Sequence, residues 1–250
     1  MTLISIILGT RPEAIKLAPV ILRFSNSKYF DVRIISTGQH KEMVHQILEL
    51  FKIKTDLDLN LMSEQQSLTH ITCKTINGLE KDFKKYCPDL VIIQGDTSTA
   101  FSAALAAFYR KIPVAHIEAG LRTSNKTNPY PEELNRRMIS QIADLHFAPT
   151  KNACNNLKKE GIKKNVYITG NTVIDSLQKI ASSAEYPDIK NLNWQNEKII
   201  LVTVHRRENW GENLNAITSA IKNLAKKRDE ISFVIPMHKN KIVRDKIISE

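Results

Sequence analysis

Two stretches of this 250-residue chain gather groups suited to acid–base chemistry. In His116-Ile-Glu-Ala-Gly-Leu-Arg-Thr123, an imidazole and a carboxylate lie two positions apart. In Pro131-Glu-Glu-Leu-Asn-Arg-Arg137, two carboxylates precede two guanidinium groups by about one helical turn. Acid, base and cation gathered in so short a span suit proton transfer beside a stabilised negative charge. Taken alone, Glu132/Arg136 and Glu133/Arg137 read as exposed i,i+4 pairs, worth about a few tenths of a kcal/mol. Taken with His116 and Glu118 at the end of an apolar run, they read as part of a site.

Other candidates also follow apolar runs. In Gly9-Thr-Arg-Pro-Glu-Ala-Ile-Lys16, Pro12 suits a first helical turn and Gly9 lets the backbone approach a ligand. The free N–H groups of such a helix start favour an anion, with Arg11 and Lys16 placed to bind phosphate. The competing reading is a plain turn with solvated cations. Asp96, after Gly95, is either a helix N-cap or a functional carboxylate. His205, followed by Arg206 and Arg207, reads as a phosphate ligand or proton donor. His238 is structural or at most ligand-contacting. No GxGxxG, no P-loop, no metal-ligand spacing and no nucleophile elbow occurs. The chemistry indicated is proton transfer combined with loss of a phosphate-type leaving group, with no metal and no cofactor.

These groups need elements to hold them. Near-continuous apolar runs predict strands at 3–8, 32–36, 90–93, 113–117, 145–148, 166–168, 199–204 and 232–235. Amphipathic segments predict helices at 12–24, 41–51, 68–86, 97–109, 132–143, 151–160, 172–182 and 213–228. This βαβα rhythm predicts an α/β fold with a doubly wound parallel sheet. In such sheets ligands bind at the carboxyl ends of strands, where the candidates lie. The polar stretch 182–197 breaks the rhythm as a linker or surface excursion. The expected domains are 1–170 and an incomplete second Rossmann-like domain, 171–250.

Composition bounds the rest. With 42% hydrophobic and 25% charged residues, a packed core is expected. The 36 Lys and Arg against 26 Asp and Glu give a net charge of +10, favouring anionic partners. The cations are scattered, with no helix-turn-helix, finger or aromatic-and-basic sheet face, which argues against nucleic acid. Three cysteines without metal-like spacing suit a reducing compartment. The N-terminus lacks a signal-peptide pattern and no apolar run approaches a membrane span, so a cytoplasmic protein with no membrane partner is expected.

Six motifs in order resemble the non-hydrolysing UDP-N-acetylglucosamine 2-epimerases. They are Gly9-Thr-Arg-Pro-Glu-Ala-Ile-Lys16, Gly95-Asp-Thr97, His116-Ile-Glu-Ala-Gly-Leu-Arg122, Pro131-Glu-Glu-Leu-Asn-Arg136, Thr169-Gly-Asn-Thr172 and His205-Arg-Arg-Glu-Asn209. The resemblance implies two Rossmann-like domains of glycosyltransferase-B type with the site in their cleft. It implies interconversion of UDP-GlcNAc and UDP-ManNAc: UDP leaves to give a bound 2-acetamidoglucal and is added back with C2 inverted. By resemblance, Asp96, Glu118, Glu132 and His205 are catalytic, and Arg11, Lys16, Asp96, Glu118, Arg136 and His205 bind substrate. Bacterial members also bind a second UDP-GlcNAc as activator, and Gln39, His40, Gln66, Arg206 and His238 resemble contacts of that site. Glu42 and Gln65 depart from the pattern there. Family members are longer, and their Ser-Gly-Gly…Glu-Glu nucleotide segment has no equivalent here, so a fragment or truncated product is expected. A homodimer serving polysaccharide biosynthesis completes the reading. The alternatives are a 2-epimerase for a modified sugar such as a UDP-diacetamido-uronic acid, and a glycosyltransferase of the same fold.

Overall fold

The computed structural model describes residues 1–38, 41–61, 67–183, 188–190, 192–204, 212–228, 230–237 and 241–249. They form two compact units, Met1–Ser183 and Ala184–Glu250.

In the first unit, strands β1 (Thr2–Leu8), β2 (Phe30–Ser36), β3 (Leu57–Asp58), β4 (Leu90–Gln94), β5 (Val114–Ile117), β6 (Leu145–Ala148) and β7 (Val166–Ile168) form one parallel sheet. Helices α1 (Arg11–Ser25), α2 (Lys41–Leu50), α3 (Leu68–Tyr86), α4 (Ser98–Tyr109), α5 (Glu132–Ile142), α6 (Lys151–Lys159) and α7 (Val173–Ser183) connect or follow them. The sheet order is β3-β2-β1-β4-β5-β6-β7. The chain therefore starts mid-sheet, winds outward to β3, and restarts on the other side at β4. The loops after β1 and β4 diverge at that reversal and leave a crevice at the strand ends.

The apolar runs explain the layers. Successive side chains of a strand face opposite ways, so Ile4, Ile6 and Leu8 pack with Leu17 and Ile21 of α1 on one face. Ile7, Ile35, Val91 and Ile93 pack with Phe83, Ala103 and Ala107 of α3 and α4 on the other. Both faces are covered, as a parallel sheet requires.

The expected strands and helices of this unit form, with ends shifted by a residue or two. The two-residue edge strand β3 was not anticipated, because its pairing of Leu57 with Ile35 leaves too short a run for any period. The expected domain boundary lay at 170, yet α7 packs on α1. Ser176 donates its hydroxyl hydrogen to the Ile15 carbonyl, and Ile180 joins the α1 face of the core. The compact unit thus runs through Ser183.

In the second unit, β8 (Lys198–Leu201) and β9 (Ile231–Val234) pair in parallel, with α8 (Glu212–Lys227) between them and α9 (Lys241–Ser249) after them. Its cluster of buried residues is Val204 and Leu214. Among the described residues, no helix is long and apolar enough to cross a membrane.

Candidate active site

The β1–α1 turn is built around Gly9. A Cβ there would lie 2.3 Å from Thr37 Oγ1 and 2.6 Å from Thr99 Oγ1, so glycine admits two threonines rather than the expected ligand. Thr10 is the N-cap of α1, and Pro12 sits in the first turn. The backbone N–H groups of Gly9 and Thr10, expected to face an anion, donate instead to Glu13 Oε2 at 2.7 and 2.6 Å. Thr97 donates its hydroxyl to Glu13 Oε1. Burial raises the Glu13 proton affinity, and these donors oppose it. Arg11 is exposed at the start of α1, whereas Lys16 reaches inward.

At the end of β4, Gly95 turns the chain with φ +75°. Thr97, not Asp96, caps α4: its Oγ1 accepts from Ala100 N at 3.0 Å. Asp96 is therefore free of the capping role, and its carboxylate pairs with Arg136. Burial raises the Asp96 proton affinity; the Arg136 charge lowers it, and the nearby Glu118 and Glu132 charges raise it again.

His116 takes a different part from the one its sequence position suggests. It is fully buried, with Nε2 2.7 Å from the Gly95 carbonyl oxygen. A carbonyl only accepts, so Nε2 carries the hydrogen. Burial pushes the imidazole down to about 3, so it is neutral near pH 7. His116 holds the Gly95–Asp96 turn and has no exposed face for proton exchange.

Glu118 follows β5 with φ +67°, a conformation few residues with a Cβ adopt. Backbone bonds on either side hold it: Gly95 N donates to Ile117 O, and Ala119 N to Phe147 O, each at 3.0 Å. Its carboxylate receives Lys16 Nζ at 2.8 and 2.6 Å, Gln94 Nε2 at 2.5 Å and Asn171 Nδ2 at 2.9 Å. Gly120 then turns the chain at φ +89°, where a Cβ would lie 2.2 Å from the Ala153 carbonyl oxygen. This bears out the turn expected of it.

The two carboxylates that open α5 separate. Glu132 lines a cavity and makes no ion pair among the described residues. Glu133 is fully buried and accepts from Arg137 Nε at 2.8 Å and from Thr123 N at 3.0 Å, with Arg136 Nη1 at 3.6 Å. Of the two i,i+4 pairs, Glu133/Arg137 forms on a buried carboxylate and Glu132/Arg136 does not. Arg136 turns to Asp96 and Glu133 rather than Glu132, and Glu133 is interior.

The cavity, about 410 Å³, lies at the β1/β4 reversal and is lined by Lys16, Gln94, Asp96, Glu118, Pro131 and Glu132 among others. Four carboxylates, those of Glu13, Asp96, Glu118 and Glu132, and the Lys16 ammonium thus converge at the C-terminal ends of β4 and β5. Carboxylates there are placed to take or give a proton, and the lysine to offset negative charge. The candidates Gln39, His40, Gln66, His205, Arg206 and His238 lie outside the described residues. No cluster of metal-ligating side chains occurs among the described ones. Sequence reasoning missed Glu13, Gln94, Glu133 and Asn171. A polar residue closing an apolar run was the available signal for Gln94; residue type and spacing did not distinguish Glu133 from Glu132, and the resemblance alone singled out Glu132.

Fold and site together define a parallel α/β protein with an acidic, lysine-bearing pocket at its strand ends. The model of the UDP-N-acetylglucosamine 2-epimerase family matches residues 23–250, and the chain belongs to that family. It is 49% identical over 249 residues to the UDP-N-acetylglucosamine 2-epimerase of Neisseria meningitidis, covering 96% of this chain and 67% of the relative. Against the Bacillus subtilis enzyme of the same name, identity is 45% over 241 residues, covering 96% and 63%. The chain thus spans about two thirds of the length of these relatives. The crystal structure of the N. meningitidis UDP-GlcNAc 2-epimerase bound to UDP-GlcNAc superposes with a TM-score of 0.83 at 47% identity, covering 100% of this chain and 69% of that one. The α/β fold class is the one these 2-epimerase structures share.

Proposed function

We propose that the protein reversibly epimerises UDP-N-acetylglucosamine at C2 to UDP-N-acetylmannosamine by elimination and re-addition of UDP. The observation that carries this is the convergence of Asp96, Glu118 and Glu132 with Lys16 in one cavity of a chain belonging to the 2-epimerase family. A carboxylate takes the C2 proton, the C1–O bond breaks with its electron pair leaving on UDP, and a glycal remains bound. A carboxylic acid then protonates C2 on the opposite face as UDP returns to C1. Lys16, Arg136, Arg11 and His205 offset the charge of the departing diphosphate. Asp96, Glu118, Glu132 and His205 form the catalytic set. Similarity to a relative whose structure holds UDP-GlcNAc favours this sugar over modified ones and over glycosyl transfer. The proposal extends to a second UDP-GlcNAc bound as activator through Gln39, His40, Gln66, Arg206 and His238, to a homodimer, and to a cytoplasmic enzyme of polysaccharide biosynthesis.

The test is epimerisation of UDP-GlcNAc by the full-length enzyme in D2O. Elimination places solvent deuterium at C2 of the product, whereas hydride chemistry would return the original hydrogen. Replacing Glu118 or Glu132 by Gln keeps the shape and removes the titratable group, so C2 exchange falls by a factor on the order of 10². Product without deuterium, or near-normal exchange in both variants, overturns the proposal.

A further inference from the structure

Glu118 stands out in this cavity because every group reaching its carboxylate is a donor. Two of those donors are neutral amides with no role assigned so far, Gln94 and Asn171. They come from separate elements of the first unit. Gln94 closes β4 and is 2% exposed, so its amide is out of water and donates to Oε2 at 2.5 Å. Asn171 follows β7 and donates to Oε1 at 2.9 Å.

The orientation of Asn171 is not arbitrary. Its Oδ1 accepts from the backbone N–H of Val173 at 3.1 Å, which commits the oxygen and turns the NH2 toward Glu118. The start of α7 thereby sets the polarity of a contact made on the far side of β5. Each carboxylate oxygen thus accepts from one amide and from Lys16.

Lys16 differs in kind from the amides. It carries full charge on a flexible stem, and its side chain is 22% exposed. A diphosphate entering the cavity competes for that charge. Amides carry no net charge and stay with the carboxylate when the ammonium turns away. They fix its direction without neutralising it. The backbone at Glu118, in the left-handed region, leaves little other freedom to the side chain's origin.

We infer that Gln94 and Asn171 are positioning residues: they hold Glu118 as an oriented proton acceptor while Lys16 is drawn to the diphosphate. This rests on the epimerase reading above for the identity of the proton, and on geometry alone for the contacts.

The experiment uses the full-length protein with Gln94→Met, which keeps the length and removes the donor, and Asn171→Asp. The aspartate still accepts from Val173 N but meets Glu118 with an oxygen. Two readouts are taken. In 15N NMR, the side-chain amide signals of Gln94 and Asn171 in the wild type shift when Glu118 is replaced by Gln. In turnover of UDP-GlcNAc, kcat falls about tenfold in Gln94→Met and more in Asn171→Asp, with KM changed less than about threefold, in line with loss of a hydrogen bond to a charged group. The acid limb of the kcat profile moves to higher pH in both variants, because a carboxylate deprived of donors takes up a proton more readily. Amide signals indifferent to Glu118, or variants whose acid limb stays in place, overturn the inference. A wild type that shows the amide shifts but neither epimerises nor exchanges C2 overturns the functional reading and leaves the positioning contacts standing.

Discussion

Glu118 and Glu132 face the same cavity from two differently built walls. Around Glu118 the wall is made of strand ends. Backbone bonds continue the sheet past β4 and β5, and the carboxylate meets donors from α1, β4 and the loop after β7. Around Glu132 the wall is the start of α5, which follows the loop 118–131. Here the order lies behind the cavity. Glu133 holds Thr123 and Arg137, and Arg122 closes on Glu160 of the residue pair that joins this loop to the end of α6. One wall is pre-organised at the cavity-facing carboxylate itself. The other is pre-organised beneath it and leaves the cavity-facing Glu132 without an ion pair among the described residues. Adjacent residues on one helix are thus divided between the interior and the cavity.

The sharpest test of this division compares Glu132 and Glu133. Glu133→Ala removes a buried carboxylate and takes the acceptor from the Thr123 N–H and from Arg137 Nε, so it costs about 3 kcal/mol of folding stability. Glu132→Ala, at an open site, changes stability by no more than about 0.5 kcal/mol. Urea denaturation of both variants measures this, and equal costs would erase the difference between the walls.

The strand-end wall has an acid weakness of its own. His116 is pushed down to about 3 chiefly by burial, with the charges of His146, Arg122 and Arg136 adding to the effect and the Gly95 carbonyl opposing it. Its folded pKa lies below the unfolded one, so its contribution is complete above about pH 6.5 and is lost as pH falls toward the folded value. Asp96 and Glu13 are raised by burial, so their contributions run the other way: present at low pH and lost as pH rises through the raised values. Comparing the wild type with His116→Gln isolates the histidine. Between about pH 7 and about pH 4.5 the wild type loses roughly 2 kcal/mol more than the variant. Parallel stability curves would remove His116 from this role.

The smallest effect concerns Arg122 and Glu160. Arg122 donates from Nε at 2.8 Å and from Nη2 at 2.5 Å, and its side chain is largely buried. Glu160 is more open, and the Arg122 guanidinium holds its carboxyl below the usual range. Glu160→Ala therefore costs about 1 kcal/mol, less than Glu133→Ala. A larger loss than at Glu133, measured by the same denaturation, would place the anchor of the loop on α6 instead of α5.

The amino-acid sequence by itself determined most of the elements, β3 and α9 excepted, and the neighbourhood of the candidate site. Continuous apolar runs admit little but buried parallel strands, and helix α3 spans the predicted 68–86 because Ser67 caps one end and Cys87, in the left-handed conformation, closes the other. Carboxylates after β4 and β5 lie at the sheet's ligand-binding edge by topology alone. Tertiary structure decided the rest, for reasons of direction and burial. Asp96 and Thr97 are both cap-competent, and only the backbone path gave the cap to Thr97. Glu132 and Glu133 differ by about 100° around the helix, which sends one to the cavity and the other into the interior. His116 carries the chemistry of a proton shuttle in its side chain, but burial against Gly95 makes it neutral. Asn171 reaches Glu118 across a separation of 53 residues, a contact that exists only once β5, β7 and α7 have taken their places.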